Sequence, residues 1–401
     1  MSGYRGSCLL INYVYALNDP TSRQAAASLA EAGWRVTIFQ TTAQGIHSER
    51  PPGVETYECA RPRIPSVGGP IHRLAKWRSF RRELASWIMK NKPDLVVTIM
   101  LHSLSALPKN HGNGHGQLVC CVYDIPSPKD AGRLDSLIFR NAWKRLRQAN
   151  LVWASDSHKS ELAKQFGRLP TRPLVCHNCP PLDYFTGPIL PRNGWLRSKL
   201  EEEGANVNKT GGCIVIRAGA IGECCGIEET LLALADLPED VIFLMMGRPT
   251  LAYRLGLQHR INVLGLQRRA VIWDRPSDQT WKMALSGADV GHLVHGPFSP
   301  GANSRLFALN SSLSNYRLFD YMAMGLPIVA YNDPRLTSLY EEIPCFRNVR
   351  LENLVADIQS VLKELSTDSS VRYDLGLAGR NAHLSKYNWE MQFEKVLRSL
   401  R

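Results

Sequence analysis

The apolar residues in the first half of the chain follow two alternating patterns, short continuous runs and runs with helical spacing. Residues 8–15 form a continuous apolar run, residues 21–32 place alanines and a leucine three and four positions apart, and residues 34–39 form another apolar run. This succession predicts a strand, a helix and a strand. Further predicted strands lie at 94–100, 118–123 and 151–154. We therefore expect a parallel sheet with helices on both faces.

A second series of the same kind follows a proline-containing segment. Its predicted strands lie at 213–216, 241–246, 271–273, 290–294 and 328–330, with helices at 227–234 and 281–285. This organisation predicts an α/β fold with two doubly wound, Rossmann-like domains. The domains are expected at 1–182 and 213–385, joined by a connector at 183–212. Residues 386–401 form a predicted helix that packs back on the first domain.

The net charge, the length of the apolar runs and the positions of the cysteines indicate the kind of partner and the cellular compartment. Lysine and arginine exceed aspartate and glutamate by 48 − 36 = 12, which favours an anionic partner. The sequence has no apolar run long enough to cross a bilayer, so we expect a cytoplasmic protein. The ten cysteines are scattered through apolar runs, which indicates small buried side chains rather than disulfides.

The stretch Ser312–Ala330 carries the clearest chemical signal. Apolar residues at spacings of three and four predict a short helix that Gly325 ends, followed by a buried strand. The N–H groups near Ser312 and Ser314 would form a seat for phosphate, and Arg317 would add a bidentate donor. Asp320 would accept two hydroxyls of a ribose or sugar. The alternative is an ordinary helix and strand of an α/β core.

The segment Arg217–Glu229 joins a predicted strand to a predicted helix. Gly219 and Gly222 permit close approach of a ligand, Arg217 supplies positive charge, and the helix start after Gly226 would be a second seat for an anion. The segment lacks the lysine of a P-loop. A plain glycine-containing turn is the alternative.

Other candidates lie at predicted strand ends. Trp273 would stack on a base or belong to the core, and Asn303 lies in a loop suited either to sugar hydroxyls or to the surface. In the first domain, His102 is a candidate to contact the donor sugar or the acceptor, and Asp124 is a candidate to orient an acceptor hydroxyl or to act as a base. A structural histidine and a turn aspartate are the alternatives.

Residues 72–92 combine tryptophans with several basic residues at helical spacing. Such a helix can lie on an anionic membrane, where a lipid-linked acceptor would be found, or it can pack on the protein with a solvated basic edge. The sequence contains no nucleic-acid-binding motif and no aspartate-x-aspartate metal motif. We expect neither a nucleic acid partner nor a metal.

The stretch Ser312–Ala330 resembles the signature of the retaining family 4 glycosyltransferases of the GT-B fold. Arg317 takes the place of a lysine in that signature and Asp320 the place of a glutamate. The chain departs from the family at Ala220 and Cys225, where basic residues are common. Further local matches lie at Asn18, Asp19 and Arg23, at Asn178, Pro180 and Pro181, at 288–290 and at 387–390.

The resemblance implies an enzyme that transfers a hexose-type sugar, with retention, from a nucleoside diphosphate sugar such as a UDP-sugar. The acceptor would be a hydroxyl of a lipid-linked or polysaccharide intermediate. The nucleotide sugar would be a co-substrate, and no cofactor is implied. Two alternatives stay open, a nucleotide-sugar epimerase of the same fold and a catalytically silent partner subunit. The loss of basic residues at Ala220 and Cys225 favours the silent subunit.

Overall fold

A computed structural model describes residues 4–13, 16–41, 49–59, 70–108, 116–123, 125, 133–189, 192, 194–207, 212–294, 316–333 and 337–400. The chain divides into two compact units. Unit 1 contains the described residues up to 178 together with 389–400, and unit 2 contains those from 179 to 388. No helix in these ranges is long and apolar enough to cross a bilayer.

Unit 1 is a seven-stranded parallel sheet with strand order β3-β2-β1-β4-β5-β6-β7. Its elements are β1 (Gly6–Asn12), α1 (Pro20–Glu31), β2 (Trp34–Thr41), β3 (Val54–Cys59), α2 (Pro70–Asn91), β4 (Leu95–Ile99), α3 (Met100–Ala106), β5 (Gln117–Val122), α4 (Arg133–Leu146), β6 (Leu151–Ala154), α5 (Ser157–Gly167), β7 (Leu174–Val175) and the C-terminal α14 (Trp389–Ser399). The central strands β1 and β4 are mostly apolar and buried, as is usual for parallel strands covered by helices on both faces.

The C-terminal helix α14 belongs to the core of unit 1. The Nε1 of Trp389 donates a hydrogen bond to the Oγ of Ser28 on α1 at 2.9 Å. The ring of Phe393 meets the ring of Trp153 edge-on, with 5.8 Å between centroids. The apolar side of this helix is therefore buried against the sheet, as an amphipathic pattern requires.

Unit 2 is a six-stranded parallel sheet with strand order β10-β9-β8-β11-β12-β13. Its elements are α6 (Trp195–Glu202), β8 (Cys213–Ala218), α7 (Ile227–Ala235), β9 (Val241–Met246), α8 (Leu251–Val263), β10 (Ala270–Trp273), α9 (Asp278–Gly287), β11 (Val290–Leu293), α10 (Tyr316–Ala323), β12 (Ile328–Tyr331), α11 (Thr337–Glu342), β13 (Phe346–Val349), α12 (Leu354–Thr367) and α13 (Ser369–Ser385). Both units thus have the doubly wound topology that the sequence predicts.

The helix α10 ends as the sequence predicts. Gly325 has a φ of +63°, a left-handed conformation that glycine adopts without a steric penalty. The N–H of Leu326 donates to the carbonyl of Tyr321 at 2.9 Å and the N–H of Gly325 to that of Met322 at 3.0 Å. This pair of bonds is the Schellman arrangement. It turns the chain directly into β12.

Candidate functional site

The strand order of unit 2 reverses direction between β8 and β11. The chain runs outward from β8 to β9 and β10, then returns to the other side of β8 as β11. In open α/β sheets, ligands bind beyond the carboxyl ends of the strands at such a reversal. The predicted residues Arg217, Gly219, Gly222, Arg317 and Asp320 belong to the elements that follow or pack on these two strand ends.

Position 219, directly after β8, requires glycine because of both its backbone conformation and its close neighbours. Its φ is +116°, and a Cβ added there would lie 2.6 Å from the Nε of Arg317. The guanidinium of Arg317 therefore packs against the backbone of this glycine. Gly222 differs, because a Cβ added there would meet no atom of the described residues within 4 Å. The structure thus brings Gly219 and Arg317 together, and none of the described residues packs against Gly222 in this way.

Arg217, at the end of β8, is completely buried. Its Nε donates to the carbonyl of Ala220 at 3.1 Å, and its Nη1 donates to the carbonyl of Val294 at 2.9 Å. The Nη2 has no hydrogen-bond partner among the described residues. A buried donor of a charged group without a partner is costly, so this nitrogen marks a position that an acceptor would stabilise.

His292 on β11 holds Arg217 from the other side. Its Nδ1 lies 3.1 Å from the Nη1 of Arg217, and its Nε2 lies 2.8 Å from the Oγ1 of Thr230. The Thr230 hydroxyl donates to the carbonyl of Gly226 at 2.6 Å. The hydroxyl thus accepts from Nε2, and Nδ1 accepts from the guanidinium. The network fixes the imidazole and the guanidinium together.

Arg317, on α10, is the second guanidinium at this position. Burial, together with the neighbouring Arg217, lowers its pKa to about 10, so it keeps its charge at neutral pH. Its Nη1 is buried and has no hydrogen-bond partner within the described ranges. Two neighbouring guanidiniums repel each other, and each presents a nitrogen that lacks an acceptor. An anion at this place would satisfy both donors and relieve the repulsion.

Tyr321, one turn after Arg317, bridges the two strands where they separate. The strands β8 and β11 pair only through Val215 with Val290 and Ile216 with Gly291. The Tyr321 hydroxyl accepts from the N–H of Ala218 on β8 at 3.0 Å, and it lies 3.1 Å from the carbonyl of Ile216 on β8 and 3.3 Å from that of His292 on β11. It therefore satisfies backbone groups that the diverging strands leave unpaired.

Asp320 is buried on α10, with 1% of its surface exposed. Burial raises its pKa to about 8, although hydrogen bonds from Trp281 and Tyr184 and the charge of Lys282 act in the opposite direction. Its Oδ2 accepts from the Nε1 of Trp281 at 3.4 Å, and its Oδ1 has no partner among the described residues. One carboxyl oxygen is therefore available to a ligand hydroxyl.

The first turn of α7 contains two acidic side chains. Gly226 is the N-cap, with a φ of +61°, and Glu228 and Glu229 lie in the first turn. Burial raises the pKa of Glu228. Acidic side chains in a first turn interact with the positive end of the helix, which reduces its attraction for a further anion. The arginine pair is the stronger attraction for an anion near β8.

Trp273 makes packing contacts. Its Nε1 donates to the Oε2 of Glu203 at 2.6 Å, and its ring meets that of Trp195 edge-on at 6.3 Å. These contacts attach β10 to α6. The prediction that Trp273 stacks on a base stays a prediction.

Three predicted donor-binding residues, Asn303, Ser312 and Ser314, lie outside the described residues, as does Asp124. His102 is described on α3 of unit 1 and is partly buried. Its ring lies edge-on against Phe139, with 4.6 Å between centroids. Among the described residues, no group of three or more His, Cys, Asp or Glu side chains is placed to hold a metal ion.

The sequence interpretation missed several residues of this region. Tyr321 was expected to be one of the apolar positions of α10, and His292, Thr230, Trp281 and Tyr184 carried no distinguishing pattern. Their roles arise from strand order, which brings residues distant in sequence to the same strand ends. One usable signal was present, since Tyr321 follows Arg317 by four residues and so shares its helix face.

The sequence matches no protein-family model, and it matches no curated protein. Solved structures do resemble the chain. The sucrose-phosphate synthase of Thermosynechococcus elongatus has a TM-score of 0.72 and 18% identity, with 99% of each chain covered. WaaG, a glycosyltransferase involved in lipopolysaccharide biosynthesis, has a TM-score of 0.68 and 14% identity, covering 97% of this chain and 98% of that one.

Anabaena HepE, solved in complex with UDP-glucose, has a TM-score of 0.67 and 16% identity, with 99% of each chain covered. Similarities of this kind, over nearly the whole chain, show the fold. The chain has the GT-B fold, with two doubly wound α/β domains, as its sequence predicts.

Proposed function

We propose that this protein is a glycosyltransferase that moves a hexose-type sugar from a nucleoside diphosphate sugar to a hydroxyl acceptor. The observation that carries the proposal is the pair Arg217 and Arg317 at the carboxyl ends of β8 and β11. Each guanidinium has a buried nitrogen without a partner in the part of the chain that the structure describes. A diphosphate supplies several acceptor oxygens and the negative charge that this pair lacks.

The same pair would stabilise the leaving group. When the bond between the sugar carbon and the phosphate oxygen breaks, its electrons remain on the diphosphate. Charged donors already held in place by Gly219, His292 and Val294 stabilise that charge without rearranging during the reaction. We propose that these arginines take the part that a divalent cation plays in other transferases, so that transfer needs no metal.

Asp320 is proposed to bind the ribose. When the carboxyl is ionised, its Oδ1 would accept one hydroxyl, and the Oδ2 that Trp281 already contacts would accept the other. Asp320 follows Arg317 by three residues, which puts both side chains on one side of α10. A diphosphate on Arg317 and a ribose on Asp320 would then be neighbours, as they are in a nucleoside diphosphate. Asn303, Ser312 and Ser314 remain proposed partners of the sugar and the phosphates.

The similarity to solved glycosyltransferases supports a nucleotide sugar as the donor. HepE was solved with UDP-glucose, and WaaG is named as a glycosyltransferase of lipopolysaccharide biosynthesis. We therefore propose a UDP-sugar as the donor. Retention of configuration and membership of family 4 follow from the resemblance of the stretch Ser312–Ala330 and are part of the proposal.

The acceptor is proposed to be lipid-linked or part of a polysaccharide, with His102 and Asp124 on the acceptor side. Helix α2 supports a contact with an anionic lipid surface, because Lys76, Arg78, Arg82 and Lys90 are exposed on it. Trp77 instead donates to Ser105 at 3.3 Å. The contact would therefore be electrostatic and sensitive to salt.

The test is a titration with a panel of nucleoside diphosphate sugars, followed by an assay of nucleoside diphosphate release with and without lipid-linked acceptors, in EDTA. We expect binding of a UDP-sugar and release of UDP that depends on the acceptor. Binding without turnover would support the silent subunit instead. Epimerised or hydrolysed donor without a glycosylated acceptor would support the epimerase. A protein that binds none of the panel would contradict the proposal.

A further inference from the structure

The carboxyl end of α10 is held by two arginines from distant parts of unit 2. Arg192 donates from Nη1 to the carbonyl of Met324 at 2.8 Å and from Nη2 to that of Gly325 at 2.6 Å. Arg380 on α13 donates from Nη1 to the carbonyl of Ala323. The last carbonyls of a helix have no partner within it, and they carry the negative end of its dipole. Both arginines therefore stabilise this end.

Arg380 is itself fixed in place. Its Nη2 donates to the carbonyl of Phe185, and its guanidinium lies over the Phe185 ring, 5.3 Å from the centroid. Helix α13 also approaches the end of α10 closely, since a Cβ added at Gly376 would lie 2.2 Å from the carbonyl oxygen of Gly325. The end of α10 is thus joined to α13 by direct backbone contact and by a charged donor.

These contacts bear on the candidate site because α10 is short. The helix has eight residues, which corresponds to a length of about 12 Å. A helix of two turns moves as one body, so a shift at Ala323 would also displace Arg317 and Asp320. Binding groups must be held within about half an ångström of their productive positions. The position of the proposed donor-binding side chains therefore depends on the opposite end of their helix.

We propose that Arg380, together with Arg192, is a positioning residue for donor binding. It acts by fixing α10 so that Arg317 meets the diphosphate and Asp320 meets the ribose. Arg380 itself does not touch the donor. This inference rests on the proposed function, and it assigns a positioning role to residues outside the stretch Ser312–Ala330.

The chain offers a matched control on the same helix. Arg372, two turns before Arg380 on α13, donates from Nη1 to the carbonyls of Leu365 and Ser366, the latter at 3.2 Å. These carbonyls lie at the end of α12, which carries none of the proposed site residues. Arg372 and Arg380 therefore each donate to carbonyls at the carboxyl end of a helix, α12 and α10 respectively. Of these two helices, only α10 carries proposed site residues.

The experiment compares Arg380→Ala, Arg380→Lys and Arg372→Ala in the full chain. Thermal unfolding and UDP affinity are measured, the latter by calorimetry well below every melting temperature. We expect Arg380→Ala and Arg372→Ala each to lower the melting temperature by about 2–4 °C. Only Arg380→Ala should weaken UDP binding, by about tenfold, because its binding groups are displaced. Arg380→Lys, which keeps one charged donor, should recover part of that loss.

Equal UDP affinities in Arg380→Ala and Arg372→Ala would overturn the inference and leave the proposed function intact. A wild-type protein that binds no nucleoside diphosphate would contradict the proposed function and the inference with it. If Arg380→Ala does not fold, the comparison of Arg380→Lys with Arg372→Lys decides the question, and equal affinities there would again overturn the inference.

Discussion

The two sheets share one strand order at their reversal points but differ in the charges found there. In unit 1, beside β1 and β4, Asp19 caps α1 and accepts hydrogen bonds from the backbone and hydroxyl of Ser22 and from Tyr123. In unit 2, beside β8 and β11, Arg217 and Arg317 each have a buried nitrogen that lacks a partner among the described residues. One point holds a satisfied carboxyl and the other holds unsatisfied cations.

The strand order is the same at the two reversal points, so the side chains there decide which ligand each could bind. A phosphate beside Asp19 would meet a carboxyl that already occupies the helix start, so the interaction would be repulsive. A phosphate beside Arg217 and Arg317 would complete two hydrogen-bonding groups. We therefore expect the reversal point of unit 2, and not that of unit 1, to bind an anion.

The first prediction concerns the buried carboxyl of Asp320 in unit 2, which should make the stability of the folded protein depend strongly on pH. The pKa of Asp320 rises from 3.8 to about 8 on folding because the side chain is buried. The folded protein keeps this proton while the unfolded chain loses it, so stability from this group is full below about pH 4 and is lost as pH rises to about 8. The loss is up to about 1.4 kcal/mol per pH unit.

Asp320→Asn replaces the titrating carboxyl with a neutral amide, so this pH dependence should disappear. Urea unfolding at several pH values should therefore show the variant gaining stability over the wild type as pH rises from 5 to 7. Parallel stability curves for the two proteins would mean that Asp320 does not titrate in this range.

The next effect concerns the glycine that packs against Arg317. In Gly219→Ala, the alanine would have to adopt a backbone φ of +116°, which is unfavourable for any residue with a Cβ. Its Cβ would also displace the Arg317 guanidinium. We expect a loss of about 1–3 kcal/mol in the free energy of unfolding and weaker UDP binding. Gly222→Ala is the control for unfolding, because its Cβ would meet no atom of the described residues within 4 Å. Chemical unfolding and UDP titration of both variants check this, and equal behaviour would contradict the described packing.

A smaller effect is expected for the hydroxyl that bridges β8 and β11. Tyr321→Phe leaves the buried N–H of Ala218 without its acceptor, which should cost about 1–2 kcal/mol in the free energy of unfolding. Tyr340→Phe removes a bond from a partly exposed hydroxyl to the carbonyl of Tyr331 and should cost about 0.5 kcal/mol or less. Urea unfolding measures both, and a Tyr321→Phe protein as stable as wild type would refute the bridging role.

The smallest effect on ligand binding is expected in unit 1. Asp19→Asn keeps the shape of the α1 cap but changes its charge, and UDP affinity should stay within about twofold of wild type, or ~0.4 kcal/mol. Calorimetric titration with UDP checks this. A tenfold change in affinity would show that the two reversal points do not differ in the way that their charges indicate.

The fold could be predicted from the sequence because its central strands are short, continuous apolar runs. The strands at 151–154 and 241–246 lie where the pattern predicts them, and Gly325 ends α10 as expected. The edge strands β3, β7 and β13 were missed. Val54–Cys59 includes exposed glutamates, and Phe346–Val349 includes arginine and asparagine, since an edge strand is less buried than a central one.

The candidate site was predictable only in part. Arg317, Asp320 and Gly219 lie within local patterns whose physical reason is visible in the sequence. The residues that fix Arg217 and the end of α10, namely His292, Arg192 and Arg380, do not, because hydrogen bonds across 57 to 133 positions of sequence depend on tertiary structure. The roles of Asn303, Ser312, Ser314 and Asp124 stay predictions.

Binding of a diphosphate by Arg217 and Arg317 can be measured by comparing a ligand that carries the diphosphate with one that lacks it. UDP and uridine are titrated by calorimetry, in EDTA, against the wild-type protein and Arg317→Ala. We predict that the wild type binds UDP more tightly than uridine, and that Arg317→Ala reduces this preference by at least about tenfold without changing uridine affinity. An equal preference for UDP over uridine in the two proteins would contradict the account.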